Sequence, residues 1–322
     1  MREAAFVKQN SAKWKRYAAE PTTNPDELAD RFIELTDDLA FARTFYPDSD
    51  TTHYLNSLTG KMHQVIYRNK KEQGNRFFLF WKQELPLLFR QHHRQLLCAF
   101  LIFAVACLIG ALSAAYDDTF VRLIMGDRYV NMTIANIRKG DPMAVYKQAG
   151  EAEMFLQITM NNVYVSFLAF VAGAVLSVGT FYVLFRNGVM LGAFQYFFYK
   201  YGLLGTSALT IWIHGTLEIS AIVIAGCAGF VMGNSILFPK TFSRLESFKR
   251  GAKQGLKIVV GLVPVFITAG FLEGFVTRHT EMPLFLSLTI ILGSAAFIVY
   301  YFIYYPYRLH AKLENDTTHH RI

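Results

Sequence analysis

An all-α, polytopic membrane fold with about six crossings follows from three features of this 322-residue chain. Its residues are 53% hydrophobic and only 17% charged, whereas an ordinary soluble domain is about 25% charged. Its apolar residues gather into five long runs, 96–116, 163–185, 217–238, 258–276 and 284–304. About 20 apolar residues in a helix cross a hydrocarbon core ~30 Å thick. The formal charge of +8 also concentrates near the ends of these runs, as membrane topology requires and nucleic-acid binding does not.

Residues 1–75 predict a small cytoplasmic helical domain. Phe6, Lys13, Trp14 and Tyr17 mark a first amphipathic stretch. Asn24-Pro25-Asp26-Glu27 is a helix start, with a capping side chain, proline in the first turn and acids facing the positive end of the dipole. Leu28, Phe32, Leu35, Leu39 and Ala42 then keep helical spacing as far as Phe45, before Pro47. Asp50 or Thr51 is the expected cap of a third helix, with Leu55, Leu58, Met62, Val65 and Ile66 on its apolar face.

In 76–95 aromatic and basic residues alternate (Phe77, Phe78, Phe80 and Trp81 with Arg76, Lys82, Arg90 and Arg94). That mixture predicts a helix in the membrane interface, the alternative being a core helix of the cytoplasmic domain. The transmembrane domain is expected over 96–307 and a cytoplasmic tail over 308–322. No cleavable signal peptide precedes the first run, which must direct insertion itself. The connection 117–162 has nearly cancelling charges and is expected outside, with Asn161 and Asn162 capping the second span.

Basic residues before the first span (Arg68, Lys70, Lys71, Arg76, Lys82, Arg90, Arg94) and in 240–257 (Lys240, Arg244, Lys249, Arg250, Lys253, Lys257) place both segments inside under the positive-inside rule. They are also suited to anionic lipid head groups. Two crossings must then lie between 187 and 239, where only 217–238 is an obvious span. The other is expected from 188–213 as a broken element, a helix to about 200, an interruption at Lys200–Gly205 and a short helix before His214. Broken helices at membrane depth are tolerated where protein or a cavity satisfies the backbone, and they often border binding sites. The alternative is five crossings with a re-entrant hairpin.

Few ionisable residues fall inside the apolar runs. His214 and Glu218 are four residues apart, hence on one helical face. Two readings stand: a proton path or binding site, or a structural hydrogen bond between the pair. Glu273, followed by Arg278 and His279, reads as a local ion pair at a span end. Asn187 and Asn162 are the neutral polar candidates for a path. One imidazole and one carboxylate are a poor zinc set, so no metal is expected. No cofactor or enzyme motif is present, and the three cysteines (Cys98, Cys107, Cys227) read as packing residues. Small residues at four-residue spacing (Gly173 with Ala169 and Ser177; Gly188 and Gly192; Ala221, Ala225, Gly229 and Gly233) predict close helix packing, within one chain or in a homodimer.

Asn161-Asn162, Asn187-Gly188 with Leu191-Gly192, and His214-Gly-x-x-Glu218-Ile-x-Ala221 with Gly226 and Gly229 resemble the stage II sporulation protein M family. Arg2-Glu-Ala-Ala-Phe and Trp14 are similar to its longer bacterial members. The namesake acts in spore engulfment, in a membrane complex with peptidoglycan-degrading partners, and this chain departs from the short sporulation type by its long N-terminal segment. The resemblance is consistent with a multi-pass protein of the bacterial inner membrane. Six crossings and the basic clusters place both termini in the cytoplasm, with no nucleic-acid partner expected. The two partner-facing segments, with no catalytic set, point to a protein that assembles or recruits envelope or cytoplasmic proteins. A transporter or channel-like protein is the alternative.

Overall fold

The computed structural model describes residues 2–20, 22, 24–68, 76–147, 150–279 and 282–319. Lys70 and Lys71 of the first basic cluster lie outside the described residues. Contacts divide the chain into two units, Met1–Arg76 and Phe77–Ile322.

The first unit is built from α1 (Glu3–Ala19), α2 (Pro25–Phe45) and α3 (Asp50–Arg68). Asn24 caps α2 by accepting from Asp26 N at 3.0 Å. The cap of α3 is Ser49, not Asp50 or Thr51: its hydroxyl accepts from Thr52 N at 3.2 Å. Phe6, Trp14, Tyr17, Leu28, Leu35, Leu39, Ala42, Leu55, Leu58 and Met62 form one core. Phe32 and Ile66 pack at its edge, while Val65 is exposed.

The second unit opens with α4 (Arg76–Leu79), a π turn (Phe80–Glu84) and α5 (Leu85–Gln91). This stretch is fastened to protein on one side. Leu85 and Phe89 are buried, Trp81 Nε1 donates to Gly261 O at 3.4 Å, Tyr301 and Tyr305 donate to Trp81 O and Lys82 O, and Lys257 pairs with Glu84. Phe77 and Phe78 on the other side remain exposed.

Long helices follow: α6 (His93–Tyr116), then short α7 (Asp118–Met125) and α8 (Asp127–Arg138), then α9 (Glu151–Val171), α10 (Val178–Lys200), α11 (Leu204–Leu237), α12 (Arg244–Phe271), α13 (Leu284–Val299) and α14 (Tyr305–His319). π turns continue α12 through Leu272–Val276 and join α13 to α14 through Tyr300–Tyr304. Five of these stretches are long and apolar enough to cross a membrane: His93–Tyr116, Glu151–Ala174, Leu204–Leu237, Arg244–Val276 and Leu284–Asn315. Among the described residues there is no strand.

Three boundaries differ from the sequence reading. The run 163–185 is not one span, because a 3₁₀ turn (Ala172–Ala174) and a left-handed pair, Leu176 (φ 49°) and Ser177 (φ 71°), reverse the chain between α9 and α10. The expected interruption at Lys200–Gly205 is only a tight turn, after which α11 runs unbroken for 34 residues through His214. The connection after α6 ends near Gly150 rather than at 162, since α9 begins at Glu151 and carries Asn161 and Asn162 as helix interior. Of the two polar residues that looked like caps, Asn162 faces protein and Asn161 is exposed, and the helix runs on through both.

Close approaches give the directions. A Cβ on Gly188 would lie 2.8 Å from Phe103 O, and one on Gly192 2.8 Å from Ala111 N, so α6 and α10 run parallel. Gly229 meets Ala169 and, further back along both helices, Glu218 faces Asn162, so α9 and α11 are parallel as well, while Gly173 meets Gly229 and Ser177 meets Gly233 in the turn that follows α9. Gly255 meets Ala228 and Gly251 meets Ser235, which sets α12 antiparallel to α11. Thus α10, although more polar than its neighbours, traverses the bundle as a sixth long helix alongside α6. Gly173, Gly188, Gly192, Gly229 and Gly233 are all engaged in these contacts within one chain, and Ala221 and Ala225 are fully buried. Of the cysteines Cys227 is buried and Cys98 exposed.

Candidate functional site

His214 and Glu218 stand one turn apart on α11, near the end of the bundle that carries α7 and α8. Glu273 and Thr277 come from the π turn that ends α12 and the residue after it, and Asn162 from the facing side of α9. The π turn is closed by Thr277 N donating to Leu272 O, five residues back, at 2.8 Å. A π turn inserts a residue into the helical phase and carries Glu273 inward. Its expected ion pair with Arg278 does not form: Arg278 Nη1 pairs with Glu151 Oε1 at 3.3 Å, and Glu273 Oε2 lies 3.7 Å from His214 Nε2.

The three ionisable side chains converge. One ligand atom from each of His214, Glu218 and Glu273 lies within 4.8 Å of the others. His214 is 4% exposed, and both glutamates are half-buried. The expected pairing of His214 with Glu218 alone therefore becomes a triad, and the objection to a metal, that only two ligands were in sight, falls away. Acidic groups at a helix centre in hydrocarbon cost roughly 2.5–3.5 kcal/mol each on insertion scales. Two in one buried site must be protonated or be balanced by a positive charge.

The imidazole is oriented from behind. Thr277 Oγ1 lies 2.9 Å from His214 Nδ1 and donates its own proton to Leu272 O at 3.1 Å. A hydroxyl has one proton, so here it accepts from Nδ1–H. That fixes the tautomer in which Nε2, on the glutamate side, carries the lone pair.

Asn162, 4% exposed, turns its amide toward the Glu218 carboxylate, yet its Nδ2 makes no hydrogen bond of normal geometry. Thr159 and Ser166, three residues before and four after, also hold buried hydroxyls without partners. A buried polar atom left unsatisfied costs about 1–3 kcal/mol, so α9 presents a polar stripe where packing alone favours apolar residues. Thr277, Thr159 and Ser166 were not singled out by sequence. The 159/162/166 spacing was the available signal for the stripe, whereas nothing local marked Thr277. Asn187 does not join the group, since its amide donates to Val183 O of its own helix at 2.8 Å.

A bundle of long apolar helices around a buried His–Glu–Glu triad defines a polytopic helical membrane protein with an ionisable core. The family model described as Stage II sporulation protein M matches residues 99–278, which hold the whole triad. The chain belongs to the stage II sporulation protein M family. Residues 4–68 separately match a Domain of unknown function (DUF8413). No curated protein and no solved structure matches the chain.

Proposed function

We propose that this protein is an inner-membrane scaffold of the stage II sporulation protein M family that recruits partners for cell-envelope processes through its N-terminal helices. The observation that carries the reading is modular construction. Residues 2–68 own a closed hydrophobic core and match a domain model distinct from the one that covers the bundle. A unit that packs internally has its outer surface to spare for recognition, and Ile33, Phe45 and Tyr54 are apolar or aromatic side chains on that surface. Lys82, Arg308 and Lys312 line a groove on the second unit, suited to anionic lipid head groups at the membrane surface.

Cross-linking in native membranes tests the reading. Deletion of residues 4–68 is expected to remove the captured proteins while the bundle still inserts and purifies as a single species. Capture of the same proteins by the truncated chain rejects it. The buried triad favours a second reading, a polar path through the bundle for a proton or small cation. The two are compatible, because they use different parts of the chain.

A further inference from the structure

We propose that His214 Nε2, Glu218 and Glu273 form a binding site for one divalent first-row transition cation, of the Mn²⁺ or Zn²⁺ class, with the Asn162 amide available as a fourth ligand. The inference is independent of the scaffold reading, and a failed search for partners leaves it standing.

Four observations carry it. The donor atoms lie within 4.8 Å of one another, close enough for small side-chain movements to bring them to about 2.0–2.2 Å from a common ion. Charge balances, because two carboxylates neutralise a divalent ion and leave no net charge in the bundle. The donor set is chemically suitable: one imidazole with carboxylate and amide oxygens favours Mn, Fe or Zn over purely oxygen-loving Mg or Ca.

The fourth observation is the support behind the ligands. Metal-binding histidines nearly always donate their second ring N–H to an oxygen, which fixes the tautomer that offers a lone pair to the metal. Thr277 does this for His214. The separation of 3.7 Å between Nε2 and Glu273 Oε2 exceeds a normal hydrogen bond and leaves room for a bridging ion. Asn162 supplies a buried amide aimed at Glu218, its Nδ2 without a hydrogen bond of normal geometry and its Oδ1 accepting only a long one from Asn161 Nδ2 at 3.4 Å. Amide oxygen and nitrogen exchange places by rotation about one bond, so this side chain can present oxygen to a cation.

The full chain, reconstituted in nanodiscs and stripped with chelator, is titrated with Mn²⁺, Zn²⁺ and Mg²⁺ in turn. One Mn²⁺ or Zn²⁺ per chain is expected, with Mg²⁺ far weaker. Glu218→Gln and Glu273→Gln, close in shape to the parent, should each weaken Kd by about 100-fold, and Thr277→Val by about 10-fold through loss of ring orientation. Electron spin-echo spectroscopy of bound Mn²⁺ should show coupling to one imidazole nitrogen, abolished in His214→Ala. If a variant fails to fold, the wild-type stoichiometry and nitrogen coupling decide alone. Absence of saturable Mn²⁺ or Zn²⁺ binding in folded wild type, bound Mn²⁺ without nitrogen coupling, or equal affinity in the Glu→Gln variants overturns the site.

Discussion

Trp14, Lys13 and Asp38 show how single side chains are spent in the first unit. Asp38 accepts from Trp14 Nε1 at 2.7 Å and pairs with Lys13 Nζ at 2.7 Å, while Trp14 meets Phe6 edge-on. Burial pulls the Lys13 ammonium downward, but the hydrogen bond and charge of Asp38, with Glu34 behind, outweigh it and hold the group above the ordinary 10.5. A raised folded value means the stabilisation is fully present below the unfolded value and fades as pH climbs through the folded one. The isolated 2–68 unit, followed by the fluorescence of its single tryptophan, is therefore expected to lose stability as pH rises past the ordinary lysine value of 10.5. Asp38→Asn keeps an acceptor for Trp14 but removes the charge, so it should lower stability at neutral pH and flatten that alkaline loss. An unchanged alkaline slope in Asp38→Asn would sink this account. At the same scale, the sequence exposed His214 and Glu218 because ionisable residues are conspicuous in an apolar run. It hid Thr277, whose hydroxyl is ordinary in any helix and acquires its role only across 63 residues of chain.

Helices, by contrast, were legible wherever a periodic signal and a boundary signal coincided. Asn24-Pro25 announced α2, and the apolar stripe from Leu28 to Ala42 is the one the structure buries. The reversal between α9 and α10 was illegible for the opposite reason. It is made by Leu176 and Ser177 in left-handed conformations, residues that carry no turn signature, within a run whose hydrophobicity is continuous. The inward swing of Glu273 depends on a π turn, which leaves no mark in residue spacing. The small-residue ladders were readable as packing signals, but their partners emerged only in three dimensions. A Cβ on Gly192 would enter the backbone of α6 at Cys107 and Ala111, whereas one on Gly60 in α3 would meet nothing within 4 Å. Gly192→Val should accordingly destabilise the bundle by about 1–3 kcal/mol or more, as overpacking does. Gly60→Ala should stabilise the first unit by about 0.5–1 kcal/mol, since it gains helix propensity at an exposed site. Thermal unfolding of the two variants in detergent is the measurement, and equal shifts of the same sign would contradict the close α6–α10 contact.

For the molecule as a whole, the order of helices and the distribution of charge make one joint demand. The directions of α6, α9, α10, α11 and α12 alternate along the chain, so each connection must lie at the opposite end from the one before it. The connection between α11 and α12 leads into Arg244, Lys249, Arg250, Lys253 and Lys257, a basic cluster that the positive-inside rule keeps cytoplasmic. If that rule holds here, the α7–α8 segment falls on the outer face and α10 crosses despite its lower hydropathy. It tolerates this because Gly188, Val189, Gly192, Ala193, Phe197 and Phe198 are buried, so its polar positions have protein as well as lipid around them. In a cysteine-free background, Arg138→Cys on α8 should react with a membrane-impermeant maleimide in intact cells freed of any outer permeability barrier. Thr241→Cys and Ser49→Cys should react only after the membrane is opened. If Thr241→Cys labels together with Arg138→Cys, α10 and α11 do not both cross, and the arrangement reverts to five crossings with a re-entrant hairpin.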